Sequence, residues 1–271
     1  MTANLGEQKR ELRAPLFLLL IHDKIIIAYN NRLCSILFYM ETKENSRPHY
    51  GPSLLSLAVV HTLLFVASVA ALALLRHGAA LSGVLSLNPY GPAEAAQSFF
   101  AGSPQAVRVG AFFFFGSAIP LGIYTATIVS RLRFLGVRAA GSYIAFLAGL
   151  AASGALVAAA LCLWVLSVPE ASASIPVTRV LHFMSFLCGG AAFSAGFGLL
   201  AAGVSVTSYF ARLLPRWLVW FGLLIAVAGE LSTLSLIALP MTLAIPITRF
   251  GGFIWLIAVG ALMPKRLANT K

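Results

Sequence analysis

Between residues 53 and 263 the chain consists of successive apolar runs of roughly 20 residues, and arginines mark many of their ends. A helix of about 20 apolar residues crosses the hydrocarbon core of a bilayer, which is about 30 Å thick. The runs are continuous rather than alternating, which favours helices over the strands of a membrane barrel. The sequence therefore predicts an all-α, six-helix transmembrane bundle. Its spans are expected at 53–75, 107–130, 139–167, 178–206, 216–239 and 241–263.

The composition agrees with a membrane protein and argues against a soluble fold. Hydrophobic residues make up 59% of the chain and charged residues only 10%, which is too few to cover a globular surface. The chain has a formal net charge of +11, and a strongly basic composition is also typical of nucleic-acid-binding proteins. Here, however, the basic residues stand at the ends of apolar runs. We expect them to contact lipid head groups, and we expect no nucleic-acid partner.

The basic residues also predict the orientation of the spans. With six spans, the arginine- and lysine-rich segments fall on one side: the N-terminal segment, the connections at 131–138 and 212–216, and the C-terminal segment. Cytoplasmic loops carry the excess of Lys and Arg. We therefore expect a multi-pass protein of the bacterial cytoplasmic membrane, with both termini in the cytoplasm.

The longest outer connection, about 76–106, contains the turn cluster Asn88-Pro89-Tyr90-Gly91-Pro92. After it, residues 93–100 are expected to form a short helix. Phe99 and Phe100 of this helix are expected to dip into the membrane interface.

Residues 1–39 differ in character from the rest of the chain. Their apolar run from Pro15 to Ile21 is stopped by His22, Asp23 and Lys24, so it is too short to span a bilayer. We expect Met40 to be the natural start and residues 1–39 to be a gene-model extension; the alternative is an interfacial helix. The expected organisation is a tail over 1–52, the transmembrane domain over 53–264 and a basic tail over 265–271.

Small residues recur every fourth position in two of the predicted spans. The third span carries Ala145, Gly149 and Ser153, and the fourth carries Gly190, Ser194 and Gly198. Lipid tails are as apolar as leucine, so helices in a membrane associate by close packing and interhelical hydrogen bonds. We expect these stripes to be packing surfaces.

Ionisable residues inside a span are costly and usually paired or functional. Glu230 is the only acidic residue within a predicted span. It follows Gly222 and Ala226 at four-residue spacing, so we expect it to point into the bundle. The predicted partner is Arg249, with Arg179 or His182 as second choices. The alternative is that this cluster responds to protons or to a ligand.

Two histidines in predicted spans, His61 and His182, raise the question of a haem. They lie at different depths, so one iron is not easily reached from both. We expect interior, hydrogen-bonded histidines, no cofactor and no bound metal. Neither HExxH nor GxSxG occurs, and Asp23 is the only aspartate, which argues against an intramembrane protease or hydrolase.

Several short stretches resemble a bacterial family of multi-pass membrane proteins that is classed as a domain of unknown function. They are the stretches 107–110, 131–136, 213–218, 230–234 and 249–255. The resemblance covers roughly residues 99–264 and leaves out residues 1–39. It implies a multi-pass membrane protein and carries no activity that could be transferred.

Three functional classes remain open from the sequence. The first is a non-enzymatic membrane protein that acts as an accessory component, a sensor, or a binder of a small molecule or lipid. The second is a small secondary transporter with Glu230 as its titrating group, and the third is an intramembrane enzyme. A water-filled cavity that reaches Glu230 would favour transport. The expected partners are the lipid bilayer and either a second copy of the chain or another membrane protein.

Overall fold

The computed structural model describes residues 49–75 and 89–265. Within these ranges the chain is helical and contains no strand. The α-helices of ten residues or more are α1 (Leu54–Leu74), α2 (Ala93–Gly102), α3 (Pro104–Phe134), α4 (Ala140–Val165), α5 (Ile175–Leu187), α6 (Phe193–Phe210), α7 (Arg216–Ser232) and α8 (Ala244–Leu262). A single helical turn, Pro169–Ser172, lies between α4 and α5. Predictions for residues 1–48, 76–88 and 266–271 lie outside the described residues.

Within residues 49–75 and 89–265, six helical segments are long and apolar enough to cross a membrane. They are Leu54–Leu74, Pro104–Phe134, Ala140–Val165, Ile175–Phe210, Arg216–Leu236 and Leu239–Leu262. The fourth joins α5 to α6 through a π-helical turn, and 3₁₀ turns lie between α7 and α8. The prediction of an all-α bundle with six spans is confirmed. The orientation of the termini and the boundaries of the tails stay predictions.

The spans pack as a closed ring in chain order. Helix α1 packs on α3, α3 on α4, α4 on α6, α6 on α7 and α7 on α8, and α8 returns to α1. Large side chains fill the centre of the ring. Tyr124 of α3 is fully buried and donates a hydrogen bond to the Leu256 carbonyl 3.1 Å away, and Trp255 of α8 packs edge-on against Phe197 of α6.

Close backbone contacts hold α6 between α4 and α7. A Cβ placed on Gly203 of α6 would lie 2.5 Å from the Gly141 carbonyl oxygen of α4. A Cβ on Gly229 of α7 would lie 2.5 Å from the Ser194 carbonyl oxygen and 2.8 Å from the Gly198 Cα, both in α6. The small residues of the fourth span, Ser194 and Gly198, therefore form a helix–helix contact as the sequence predicts.

Helix α3 ends in a turn that contains a glycine with a positive φ. At the end of α3, the Gly136 amide donates to the Arg133 carbonyl and the Val137 amide to the Leu132 carbonyl, with Gly136 at a φ of 88°. This is the Schellman arrangement, which favours glycine at its left-handed position. It ends α3 and starts the short connection to α4, which places Arg133 and Arg138 close to the first residues of α4.

The short helix α2 differs from its prediction in one respect. Phe99 and Phe100 are 3% and 1% exposed, so they do not dip into the interface. They pack with Ala96, Val107 and Leu166 in a small second core. The ends of the neighbouring spans cover α2, which buries its apolar face inside the protein.

The segment before α1 is fixed to the ends of two other spans. The His49 amide donates to the Lys265 carbonyl 2.9 Å away, and its Nε2 lies 3.0 Å from the Ser130 hydroxyl oxygen. Partial burial, together with the positive charge of Arg131, holds the pKa of His49 below its ordinary value. Both effects favour the neutral form of the imidazole over the charged form.

Candidate functional site

Arg249 lies in the second turn of α8, and aromatic rings surround its guanidinium. The Cζ atom is 4.7 Å from the ring centroids of Phe65 and Phe193, and 6.0 Å from that of Phe114. Nη2 donates a hydrogen bond to the Gly189 carbonyl, whereas the buried Nε has no hydrogen-bond partner in the described part of the chain. Each cation–ring contact is worth about 0.5–2 kcal/mol. Aromatic rings and a backbone carbonyl thus contact the Arg249 guanidinium, whereas the sequence predicted the carboxylate of Glu230 as its partner.

The carbonyl that accepts from Arg249 belongs to the π-helical turn Cys188–Ala192. In an α-helix the Phe193 amide would donate to Gly189, four residues earlier. Here it donates to Cys188 and Gly190 instead. The Gly189 carbonyl loses that α-helical donor and accepts from the arginine of a neighbouring span. Such π-turns are rare and often stand at functional sites.

Arg249 lines a groove of about 340 Å³ that opens to the outside of the bundle. We call it the Arg249 groove. The residues that line it come from α1, α3, α4, the α5–π segment and α8, and they are almost all apolar or aromatic; Phe65, Leu72, Phe114, Leu163, Phe186 and Ile245 are among them. Pro246 and Phe250 at its edge are exposed. Of the residues that the structure describes, Arg249 is the only one with a charged side chain that lines the groove.

The two serines that line the Arg249 groove already donate their hydroxyl protons. Ser68 donates to the Gly110 carbonyl at 2.8 Å, and Ser185 donates to the Ala159 carbonyl at 3.0 Å. Their oxygens keep only acceptor capacity toward the groove. The guanidinium of Arg249 is therefore the group in the groove that can donate to a ligand.

His61 lies one turn before Phe65 on α1. Its Nδ1 is 2.7 Å from the Ser117 carbonyl oxygen, and because a carbonyl only accepts, Nδ1 is assigned as the donor. Its Nε2 is buried and has no hydrogen-bond partner among the described residues. The ring packs edge-on against Phe253, which in turn contacts Phe65. His61 therefore supports the aromatic rings that hold Arg249.

Arg179 and His182 lie about one turn apart on α5. Arg179 Nη1 donates to the Gly91 carbonyl at 3.2 Å, and its Cζ is 5.6 Å from the Phe183 ring centroid. His182 is buried and packs edge-on against Phe100 of α2. These two residues hold α2 and the residues just before it against α5. The structure does not bring them together with Glu230.

The prediction that Glu230 is buried and paired with Arg249 is wrong. Glu230 is exposed, in the last turn of α7. A step of four residues advances about 400° around a helix, which is about 40° past a full turn. Over the two steps from Gly222 the drift is about 80°, which moves Glu230 off the buried face. That face continues through Gly229, whose backbone contacts α6.

Within residues 49–75 and 89–265, no group of three or more His, Cys, Asp or Glu residues could hold a metal ion. His61 and His182 contact different rings in different parts of the bundle. The described residues thus offer no ligand set that would join these two histidines at one metal.

The π-turn is the functional feature that the sequence analysis missed. Its signal in the sequence is weak: two consecutive glycines, Gly189 and Gly190, within a span. Glycine has a low helix propensity, so a Gly-Gly pair marks a place where the α-helical ladder can be interrupted. The pair also has a packing reason, because a Cβ on Gly189 would lie 3.1 Å from Ala159 Cβ.

We compared the chain with protein-family models, with curated proteins and with solved structures, and none matches. The assignment of this site therefore rests on the geometry alone.

Glu230→Gln is expected to change the free energy of unfolding by less than about 0.5 kcal/mol, because substitutions of exposed side chains away from special features have small effects. Thermal unfolding of the purified protein in detergent micelles at pH 7 measures the change. A decrease in Tm of more than about 5 °C would show that the Glu230 carboxylate makes a stabilising interaction in the folded protein. That result would revive the ion-pair hypothesis.

Proposed function

We propose that this chain is a non-enzymatic, multi-pass protein of the bacterial cytoplasmic membrane that binds an anionic amphiphile in the Arg249 groove. The observation that carries the proposal is a cation at the wall of an apolar groove, held by aromatic rings and one carbonyl. A ligand with an anionic head and an apolar tail would satisfy both parts of this groove.

The cost of an unpaired cation supports a binding role. A charge in the bilayer core costs at least about 2.5–3.5 kcal/mol on insertion scales. A purely structural arginine in this position would be expected to have a carboxylate partner, because one-sided burial of a charge is unfavourable. An incoming anion would provide that partner, and charge-assisted hydrogen bonds from a guanidinium are strong and directional.

The shape of the groove supports a lipid-like tail. The groove opens to the outside of the bundle, and exposed Pro246 and Phe250 stand at its edge. A ligand dissolved in the bilayer could therefore enter laterally. Its tail would contact rings and aliphatic side chains, which gain little from a water-soluble ligand but pack well against a hydrocarbon chain.

The secondary-transporter alternative has less support. It depends on Glu230 as a titrating group inside the bundle, and Glu230 is exposed at the end of α7. A catalytic role has no set of converging acid, base and nucleophile in the Arg249 groove. Binding is thus the function that this site supports best.

Oleate is expected to raise the Tm of the protein in neutral phosphatidylcholine nanodiscs by about 5–10 °C when present at 100 times its Kd, because a ligand that binds only the folded state stabilises it. Oleyl alcohol has the same tail without the charge, and we expect a smaller shift from it. In Arg249→Gln the difference between the two ligands should disappear, whereas Arg249→Lys should keep part of it.

Arg179→Gln is the matched control, because it removes an arginine from another span and leaves the Arg249 groove intact. It should respond to oleate as the wild-type protein does. Equal shifts from oleate and oleyl alcohol in the wild-type protein would contradict the proposal, as would an unchanged preference for oleate in Arg249→Gln.

A further inference from the structure

Two adjoining pockets lie where α3 ends and α4 begins, away from the Arg249 groove. Their volumes are about 480 Å³ and 340 Å³, and Arg133 and Tyr143 line both of them. Arg138 and Ser142 complete the second pocket, and Ser130 and Phe146 lie in the first. We call them the Arg133 pockets. No acidic residue from the described part of the chain lines either pocket.

The charge at these pockets is strongly positive. Arg133 and Arg138 are both exposed and five residues apart, on either side of the turn at Gly136. Arg131 lies in the last turn of α3 and is only 2% exposed, and its Nε and Nη1 have no hydrogen-bond partner in the described part of the chain. Three guanidinium groups within eight residues attract an anion to this end of the bundle.

The geometry of Arg133 favours a phosphate group. Its Cζ is 5.4 Å from the Tyr143 ring centroid, so the ring supports one face of the guanidinium. The N–H groups at the edge of a stacked guanidinium stay available for a bidentate contact with a phosphate. The first amide groups of the 26-residue helix α4 lie in the same region and add a favourable dipole.

A lane of exposed apolar side chains continues from the pockets along α4. Tyr143 is 54% exposed, and Phe146, Leu147 and Leu150 on the same side of the helix are also exposed. The last three follow Tyr143 by three, four and seven residues, so all four form one stripe along the helix. A headgroup in the Arg133 pockets would place its acyl chains on this stripe. A soluble phosphate would leave the stripe unused.

We propose that the Arg133 pockets bind the headgroup of an anionic phospholipid, with its acyl chains along the Tyr143–Leu150 stripe of α4. The phosphodiester contacts Arg133 and Arg138, and Tyr143 keeps Arg133 in place. The positive-inside distribution of the basic residues predicts that this lipid belongs to the cytoplasmic leaflet. This interaction is independent of the Arg249 groove.

The test uses the full chain in mixed micelles and counts bound phosphatidylglycerol by native mass spectrometry, with phosphatidylcholine as the competitor. The Arg133→Gln/Arg138→Gln pair should bind phosphatidylglycerol at least about tenfold more weakly than the wild-type protein, because it loses charge-assisted hydrogen bonds. Tyr143→Ala keeps both charges and should lose part of the preference for phosphatidylglycerol, because it removes the ring under Arg133.

The matched control is Arg212→Gln/Arg216→Gln, which removes two exposed arginines from another connection predicted to lie on the same side. Its affinity should fall by no more than about two- to threefold, since these charges act only through the screened surface potential. An equal loss in the two double variants would overturn the proposal. Competition by glycerol 3-phosphate as effective as that by phosphatidylglycerol would also overturn it, because the ligand would then be a soluble phosphate.

Discussion

Gly229→Leu is expected to lower the Tm of the purified protein by roughly 10 °C or to prevent folding. Its Cβ would lie 2.5 Å from the Ser194 carbonyl oxygen and 2.8 Å from the Gly198 Cα. Both are backbone atoms of α6, so no side chain can rotate away to make room. Overpacking of this kind costs about 3 kcal/mol or more, since α7 must move away from α6. Thermal unfolding in detergent micelles measures the change.

Gly154→Leu is the matched control for that substitution. Gly154 lies within α4, and a Cβ there meets no atom within 4 Å. The same leucine should therefore leave the Tm within about 2 °C of the wild-type value. If Gly229→Leu were as stable as Gly154→Leu, the close contact between α6 and α7 would not exist in the folded protein.

The contrast between these glycines shows what the sequence could predict about packing. The four-residue spacing of Ser194 and Gly198 indicated a contact surface, and both meet α7 at Gly229. The spacing did not identify the partner helix, because many spans carry glycine or alanine at such intervals. Gly154 also shows that not every glycine within a span is a contact.

The six spans were predictable from the sequence because each depends on one property, the length of a continuous apolar run. A continuous apolar run of sufficient length must form its backbone hydrogen bonds internally, whatever its neighbours are. The short helix α2 was predicted for similar local reasons, and its burial was missed. Phe99 and Phe100 are covered by the ends of other spans, and such coverage is not encoded in the ten residues of the helix itself.

Depth along a helix could be estimated from the sequence, but direction around it could not. The sequence predicts that Glu230 points into the bundle and pairs with Arg249. The structure places Arg249 among Phe65, Phe114 and Phe193, and Glu230 on the outside of α7. Whether the two side chains meet depends on the direction in which each one points around its own helix axis. Glu230 is two four-residue steps from Gly222, and these steps turn it about 80° away from the direction of Gly222.

The π-turn could not be predicted for a different reason. It is one extra residue in a helical turn, and it changes neither the composition nor the hydrophobicity of the span. Its consequence is local but decisive, because it makes the Gly189 carbonyl available to Arg249. The chemistry of the Arg249 groove thus depends on a backbone feature that residue types alone do not specify.

Deletion of Ala192 is expected to convert the π-turn into regular α-helix without unfolding the bundle. The Phe193 amide already donates to the Cys188 carbonyl, five residues earlier. After the deletion the same two residues are four apart, so their hydrogen bond becomes α-helical. Ala192 is exposed, so its loss removes no core contact. The Tm should stay within about 5 °C of the wild-type value.

The deletion is also expected to weaken oleate binding by about tenfold or more. In a regular helix the Gly189 carbonyl accepts from within its own ladder, so Arg249 loses the hydrogen bond that fixes its guanidinium in the groove. A hydrogen bond to a charged group is worth about 1.5–3 kcal/mol, which corresponds to a change of roughly 10- to 100-fold in Kd. Titration with oleate in phosphatidylcholine nanodiscs, followed by the shift in Tm, measures the loss.

Deletion of Ala195 is the control, because it removes a residue of the same size from within α6. No π-turn is present there to absorb the loss, so the preceding and following parts of the span would rotate by about 100° relative to each other. Gly196, Gly198 and Gly203 would then leave their partners on α4 and α7. This variant should not fold. If the Ala192 deletion also failed to fold, or if it bound oleate with wild-type affinity, the π-turn would have no role in positioning Arg249.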